Sequence, residues 1–189
     1  MRFRQLKHRK DCRPLVDLLL NIPVEFRGMT AIEVGSFYGE SAVIFSLFFK
    51  PVYCVDPFYD SRSAKLTGRH IHAVFDKQTE GRDIISVVAD SDAGVSQTPD
   101  KVAFVYIDAN HTREAVLNDI RNYWDKIIDG GYIAGHDYGC TGAVQDAGNN
   151  IGKQNGVKPA VDSLLGIPDD VFPDSSWLIK KTGTRRLLW

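Results

Sequence analysis

The chain has 189 residues, 43% of them hydrophobic, and a formal net charge of −1. This length and composition predict one globular domain over residues 1–189, and the balanced charge excludes an overall field that would attract nucleic acid or a membrane surface. No apolar run is long enough to span a bilayer. The three cysteines form no CxxC pair, which argues against a disulfide framework and indicates a reducing, cytoplasmic compartment.

The N-terminal segment is basic, because residues 1–13 hold six lysines and arginines against one acid. We expect residues 1–28 to form a basic, partly helical extension of the domain. A phosphate-binding edge, a solvated helix face and a contact in a homo-oligomer all remain open for this segment. The last two are the commoner uses of such a sequence.

Five short runs predict buried strands, because they are continuously apolar and rich in β-branched and aromatic residues, as a sheet covered on both faces requires. They span residues 30–34, 51–55, 84–89, 102–107 and 131–135. Helical patterns span residues 39–49, 64–78 and 112–127. In the last of these, Thr112 is expected to cap the start, and Gly130 with Gly131 is expected to end the helix.

This alternation of strands and helices predicts a Rossmann-like, doubly wound and mostly parallel α/β sheet. The tail at 177–189 has the pattern of a strand, a tight turn and a second strand, so we expect the sheet to finish with an antiparallel edge. In such a fold the ligand binds beyond the carboxyl ends of the parallel strands. The residues that follow each strand are therefore the candidates for function.

Acidic residues stand at or just after the end of every predicted parallel strand. They are Glu33, Asp56, Asp90, Asp108 and Asp137. A single acid is commonly a helix cap, but five at one rim favour a nucleoside-type ligand. The first turn carries Gly35 and Gly39 but has Phe37 where a dinucleotide-binding turn has a further glycine. Together with Glu33 inside the strand, this favours S-adenosylmethionine over NAD.

Several stretches resemble class I S-adenosylmethionine-dependent methyltransferases, in particular the methyltransferase family 24 type. They are AIEVGSFYGESA, VDPF, ADS, VYIDANHTREAVLNDIRNYWDKIIDGGYIAGHDY and GVKPAVD. The resemblance implies a seven-stranded sheet with one antiparallel strand near the C-terminus. It also implies the residues around the cofactor: Glu33, Gly35, Ser36, Phe37, Gly39 and Ser41 at the methionine portion, Asp56 at the ribose, Pro57 and Phe58 beside the adenine, Asp90 and Ser91 at the adenine edge, and Asp108 as a residue shared with a metal pocket.

Metal-dependent O-methyltransferases of the catechol and macrolide-sugar type are similar at the ends of the fourth and fifth strands. The similarity implies that Asp108, His136 and Asp137 bind a divalent ion, Mg²⁺ or Mn²⁺, although the nitrogen ligand suits Mn²⁺, Fe²⁺ or Zn²⁺ better than Mg²⁺. It also implies that Asp108 and His111 form a catalytic pair in which His111 is the general base for a hydroxyl. The alternative is that Asp108 only orients the cofactor and that His136 only packs.

The function predicted from these features is metal-assisted O-methylation of a small-molecule or saccharide hydroxyl. Residues 138–158, rich in glycine and asparagine, are expected to form either a lid over the site or a plain surface loop. Two other functions remain open. One is a nucleic-acid methyltransferase, although the Asp/Asn-Pro-Pro-Tyr motif of base N-methylation is absent, and the other is a non-catalytic S-adenosylmethionine-binding protein.

Overall fold

The computed structural model describes residues 11–59, 68–139, 156–183 and 187–188. Its strands are β1 (Ala31–Val34), β2 (Val52–Val55), β3 (Ile84–Val87), β4 (Val102–Ile107), β5 (Ile127–Gly135), β6 (Asp170–Val171) and β7 (Trp177–Lys180). Its α-helices are α1 (Arg13–Leu20), α2 (Glu40–Phe45), α3 (Gly68–Thr79), α4 (Ser91–Gly94), α5 (Arg113–Trp124) and α6 (Val157–Leu165). All five strands predicted from apolar runs are present.

The seven strands form one sheet in the order β3-β2-β1-β4-β5-β7-β6. The pairs among β1 to β5 are parallel, whereas β7 is antiparallel to both of its neighbours, β5 and β6. The predicted seven-stranded, Rossmann-like sheet with one antiparallel strand near the C-terminus is therefore confirmed. The order reverses between β1 and β4, so the carboxyl ends of these two strands flank the crevice where doubly wound folds bind ligands.

Apolar side chains cover the sheet on both faces, which explains why the strands lack an alternating pattern. One face packs against buried residues of α1, α2 and α3, including Leu18, Phe45 and Phe75. The other face packs against buried residues of α5 and α6, including Ile120 and Val161. Every residue of β4 is buried, because this strand lies in the middle of the sheet.

The ends of α5 confirm one prediction and correct another. The hydroxyl of Thr112 accepts a hydrogen bond from the backbone N–H of Ala115 at 3.4 Å, so Thr112 caps the helix as predicted. The helix ends at Trp124, however, well before the two glycines that were expected to stop it. It ends early because Ile127 already pairs with Val102 in the sheet. Tertiary pairing thus overrides the local helical pattern.

The predicted C-terminal hairpin is wrong in the part of the chain that the structure describes. The strand over Trp177–Lys180 exists, but its partners are β5 and β6. Leu187 and Leu188 are not in a strand, and the N–H of Leu188 donates to the carbonyl of Leu164 at the end of α6. Residues 184–186 and Trp189 lie outside the described residues.

Two other predicted segments are described only in part. Residues 1–10 of the basic extension lie outside the described residues, and the rest of it contains α1, which buries Leu15, Leu18 and Leu19. Residues 140–155 of the 138–158 segment also lie outside. Within the described ranges, no helix is long and apolar enough to cross a membrane. The single-domain organisation, the cytoplasmic location and the homo-oligomer stay predictions.

Candidate functional site

The carboxyl ends of the parallel strands meet at one rim of the sheet, and the candidate residues fall into two groups along it. We call residues 33–41, 56–58 and 90–91 the glycine side, which comprises the end of β1 and the turns after β1, β2 and β3. We call residues 108–111, 136–138 and 174 the histidine side, which follows β4 and β5 and precedes β7. The two sides touch where the turns after β1 and β4 meet.

Glu33 is a fully buried acid at the base of the glycine side. The hydroxyl of Ser41 donates to one of its carboxylate oxygens, and the thiol of Cys54 lies 3.5 Å from the other. Burial raises the pKa of Glu33 to about 7, although the hydrogen bonds from Ser41 and Cys54 oppose this rise. The group therefore changes charge near neutral pH and accommodates a cation as its carboxylate.

The turn after β1 depends on Gly35, which has a φ of 91°. A Cβ on this residue would lie 2.3 Å from the carbonyl oxygen of Asp108, so only glycine fits between the two turns. Phe37 occupies the position where a dinucleotide-binding turn has a further glycine, and it adopts a φ of 46°. Its N–H donates to the carboxylate of Asp56 at 2.8 Å, which holds the residue in this left-handed conformation.

Asp56 accepts a second hydrogen bond, from the N–H of Phe58 at 2.5 Å, and burial raises the pKa of this carboxyl group. The ring of Phe58 is buried and stacks on His72, with 4.4 Å between the ring centroids. It also contacts Phe75 of α3. Phe58 therefore packs into the core under α3, while its backbone stays at the rim. Pro57 beside it is half-buried.

Asp90 is exposed at the start of α4, whereas the side chain of Ser91 turns toward α5. The hydroxyl of Ser91 donates to Asp119, and its carbonyl accepts a hydrogen bond from the hydroxyl of Tyr123 at 2.8 Å. Burial raises the pKa of Asp119 to about 6. The sequence prediction missed Asp119, although an acid between Val116 and Tyr123 on the apolar face of a helix was a signal for a buried partner.

The histidine side is organised around His111. Its Nε2 lies 3.2 Å from an oxygen of Asp108 and 3.2 Å from an oxygen of Asp137. The three side chains are 20–29% exposed, so the group is open to a small molecule. Asp137 has a φ of 62°, an uncommon conformation that aspartate tolerates better than most residues.

His136 contacts this group only through Asp137, on the side opposite His111. Its Nδ1 lies 3.3 Å from the other oxygen of Asp137, and its Nε2 lies 3.9 Å from a carboxylate oxygen of Asp174. Asp174 was missed by the sequence prediction. The antiparallel direction of β7 was the available signal, because the residues before such a strand lie at the same rim as the ends of the parallel strands.

The ligand atoms of Asp108, His111 and Asp137 lie within 4.8 Å of one another, so these residues could hold a metal ion. The group differs from the triad expected from the sequence, because His111 stands in place of His136. A set of two carboxylates and one imidazole suits Mn²⁺ or Zn²⁺ better than Mg²⁺, which prefers oxygen ligands.

Comparison with known folds gives matches among methyltransferases. The chain is similar to phosphoethanolamine N-methyltransferase 1 of Haemonchus contortus, solved with phosphoethanolamine and S-adenosylhomocysteine (TM-score 0.60, 14% identity, 92% of this chain and 43% of that one). It is also similar to the N-methyltransferase NodS of Bradyrhizobium japonicum (0.56, 13%, 90% and 96%) and to an S-adenosylmethionine-dependent methyltransferase of Leishmania major (0.52, 12%, 66% and 48%). At these identities the likeness concerns the fold.

The chain spans less than half of the length of the Haemonchus and Leishmania proteins. No curated protein sequence matches it. The family model described as a methyltransferase domain matches residues 32–138, which is more than half of the chain. This match includes both turns that meet at the rim and the group of Asp108, His111 and Asp137. The chain therefore belongs to the family of S-adenosylmethionine-dependent methyltransferases, as the motifs of its sequence predicted.

Proposed function

We propose that this methyltransferase transfers the methyl group of S-adenosylmethionine to a hydroxyl of a small molecule, with a saccharide or polyol as the acceptor class. The observation that carries the proposal is the position of His111, whose Nε2 lies 3.2 Å from both Asp108 and Asp137. A neutral hydroxyl attacks a methyl group poorly until it loses its proton, so its methylation needs a base. An amine with a free lone pair needs none.

His111 is the base in this proposal. A neutral imidazole whose Nε2 faces two carboxylates carries its proton on Nε2, which leaves the lone pair on Nδ1. The hydroxyl oxygen of the acceptor forms a bond to the methyl carbon while the carbon–sulfur bond breaks and its electron pair goes to sulfur. Nδ1 takes the hydroxyl proton, and the two carboxylates stabilise the imidazolium that forms. The products are a methyl ether and S-adenosylhomocysteine.

The glycine side holds the cofactor in this proposal. Support comes from the close turn at Gly35, the buried carboxyl of Glu33 and the fixed carboxylate of Asp56. The amino group of the methionine portion would ionise Glu33, and the ribose hydroxyls would reach Asp56. Because Ser91 turns its hydroxyl to Asp119, it would contribute its backbone to the adenine pocket.

A divalent ion fits the group of Asp108, His111 and Asp137, and it would polarise an acceptor hydroxyl when bound. The two roles of His111 require different protonation of Nε2. A ligand needs the Nε2 lone pair, whereas the proposed base carries a proton there. His136, the ligand expected from the sequence, would then support Asp137 from the side that faces away from the ion.

The test measures transfer of a labelled methyl group from S-adenosylmethionine to a panel of saccharides, polyols and amines. We expect hydroxyl acceptors to be methylated and His111→Ala to lower kcat by about 10²-fold or more, since general bases contribute rate factors of this order. Affinity for S-adenosylhomocysteine should stay unchanged. His70→Ala is the matched control, because His70 is an exposed residue of α3.

Turnover of His111→Ala at the wild-type rate would contradict the base role. Methylation of amines alone would contradict the acceptor class. For the metal, wild-type activity after treatment with EDTA, together with the absence of bound ions in the purified protein, would remove the ion from the proposal. A salt-sensitive shift of RNA or DNA on binding would favour the nucleic-acid alternative instead.

A further inference from the structure

The turn that precedes β7 lies against the strained turn that follows β5. Gly135 pairs with Trp177 in the sheet, and the N–H of Tyr138 donates to the carbonyl of Ser175 at 3.0 Å. Ser175, like Asp137, has a left-handed backbone, with a φ of 69°. Two residues in uncommon conformations thus lie on neighbouring turns, and the surrounding structure must hold both of them.

The imidazole of His136 lies between the carboxylates of these two turns. Its Nδ1 is 3.3 Å from Asp137 on its own turn, and its Nε2 is 3.9 Å from Asp174 on the other, which is an ion-pair separation longer than a hydrogen bond. The second oxygen of Asp174 accepts a hydrogen bond from the N–H of Ser176 at 3.0 Å. The carboxylate of Asp174 is therefore fixed by its own turn.

Each oxygen of Asp137 faces a different histidine. One lies 3.2 Å from His111 and the other lies 3.3 Å from His136. Acids and imidazoles consequently alternate along the rim, in the order Asp108, His111, Asp137, His136 and Asp174. The orientation of the Asp137 carboxylate depends on both histidines, and the orientation of His136 depends on Asp174.

We propose that Asp174 is a positioning residue for methyl transfer, which acts through His136 to hold the carboxylate of Asp137 against His111. This inference rests on the proposed function, because it takes Asp137 and His111 to serve the acceptor site. Residues that orient the ligands of a metal ion commonly change affinity or activity by about 10- to 100-fold when they are altered, and we expect a change at the lower end of this range for a residue that orients a reacting side chain. The role of Asp174 does not depend on whether Asp137 faces only His111 or also a metal ion.

The kinetic test compares Asp174→Asn, Asp174→Glu and His136→Gln in the full chain. Asparagine keeps an oxygen for the N–H of Ser176 but removes the charge that faces His136. We expect Asp174→Asn to lower kcat about tenfold while KM for S-adenosylmethionine and the melting temperature stay at wild-type values. Asp174→Glu should restore most of the rate. In the His136→Gln background, Asp174→Asn should have no further effect, because both residues act along one path.

A wild-type kcat for Asp174→Asn would overturn the inference, and so would a lower kcat that merely follows a lower melting temperature. His111→Ala in the same assay separates the two proposals. If His111→Ala is inactive and Asp174→Asn is normal, only the positioning role fails, whereas wild-type turnover of His111→Ala contradicts the proposed base.

A second measurement needs no acceptor. The imidazole ¹⁵N resonances of His136 and His111 should both shift in Asp174→Asn, while those of His70 and His72 on α3 stay in place. A spectrum in which the His111 signals do not move would overturn the inference, because the effect of Asp174 would then stop before it reaches the acceptor site.

Discussion

The two sides of the rim hold their carboxylates in opposite ways. On the glycine side, Glu33 and Asp56 accept hydrogen bonds from neutral donors, which are a hydroxyl, a thiol and backbone N–H groups. On the histidine side, Asp108, Asp137 and Asp174 face the imidazoles of two histidines. Burial raises the pKa of Glu33 and of Asp56. The acids of the histidine side are partly exposed.

This difference separates two tasks. Neutral donors and close backbone contacts on the glycine side form as the chain folds, so the fold itself sets the shape of the turns there. The acids and imidazoles of the histidine side are partly exposed side chains, so the proton transfer or ion binding proposed for them would not disturb the core. Substitutions on the glycine side should therefore change stability and cofactor affinity, whereas substitutions on the histidine side should change turnover.

The largest effect is expected for Gly35→Ala. The added Cβ would lie 2.3 Å from the carbonyl oxygen of Asp108, and the residue would keep a φ of 91°. Both the clash and the backbone strain destabilise the fold, by about 3 kcal/mol or more together. Chemical denaturation measures this loss. The turns after β1 and β4 should also separate, so binding of S-adenosylhomocysteine should be lost.

Gly28→Ala is the matched control, because Gly28 has a φ of 80° but no heavy atom lies within 4 Å of the added Cβ. Only the strain remains there, so we expect a loss of about 1 kcal/mol. Equal losses for the two variants would contradict the close contact between the two sides of the rim.

The second prediction concerns the pH dependence that Glu33 gives to stability. Burial raises the pKa of Glu33 from 4.5 to about 7, so the folded chain keeps a proton that the unfolded chain releases between these values. The stability that this proton provides is fully present below pH 4.5, declines as the pH rises toward 7 and is absent above it. Glu33→Gln removes the decline.

The free energy of unfolding of Glu33→Gln relative to wild type should therefore increase from pH 5 to pH 7.5, by roughly 3 kcal/mol at most. Denaturant titrations of both proteins at several pH values measure this difference. The contributions of the other acids are the same in both proteins and cancel. A difference that does not change with pH would mean that Glu33 is ionised in the folded chain. Burial would then not raise the pKa of Glu33, and the contrast drawn between the glycine side and the histidine side would be wrong.

Asp119 should give a smaller effect, on cofactor affinity. Asp119 lies on α5 and accepts a hydrogen bond from the hydroxyl of Ser91, at the start of α4. Tyr123, also on α5, donates a hydrogen bond from its hydroxyl to the carbonyl of Ser91. Asp119→Ala removes the first of these bonds and loosens Ser91. Binding of S-adenosylhomocysteine would then have to restore the order that one hydrogen bond of about 1.4 kcal/mol maintains, so we expect the affinity to fall by up to about tenfold. Calorimetry measures this affinity.

Asp119→Asn keeps an acceptor for Ser91 and should retain most of the affinity, and Asn118→Ala, at an exposed neighbour on α5, should retain all of it. Unchanged affinity in Asp119→Ala would show that α4 does not need α5 in order to shape the glycine side.

Much of the fold was predictable because a buried strand requires a continuous run of apolar residues, which is visible in the sequence. The run over Val102–Ile107 was predicted with the bounds that the structure gives, since all of its residues are buried. The end of α5 was not, because it depends on the pairing of Ile127 with Val102, which are distant in sequence. The partner of β7 was mispredicted for a similar reason, since strand pairing is a tertiary property.

The site was predictable to the level of strand ends and no further. The acid near the end of β1 and the acids after β2, β4 and β5 could be placed at one rim because parallel strands end together. The left-handed backbone of Asp137 determines which of its oxygens faces His111 and which faces His136. The sequence does not reveal this backbone conformation. The burial of Phe58 under α3 has the same origin, since its φ of 53° turns the ring away from the rim.

The smallest effect is expected next to the histidine side, at Lys158 of α6. Its ammonium donates to the hydroxyl of Tyr138 at 2.9 Å and to the carboxylate of Asp162 at 2.8 Å. Since the side chain is 57% exposed, solvent screens both contacts, and Lys158→Ala should destabilise the chain by less than about 1 kcal/mol. Thermal denaturation measures this loss against Lys101→Ala, an exposed lysine elsewhere.

Turnover of Lys158→Ala should stay within about a factor of two, because Tyr138 still donates to Asp162 at 2.6 Å and keeps the turn of Asp137 in contact with α6. A loss of turnover as large as that of Asp174→Asn would extend the histidine side to α6, whereas a near-normal rate confines it to the turns before β7 and after β4 and β5.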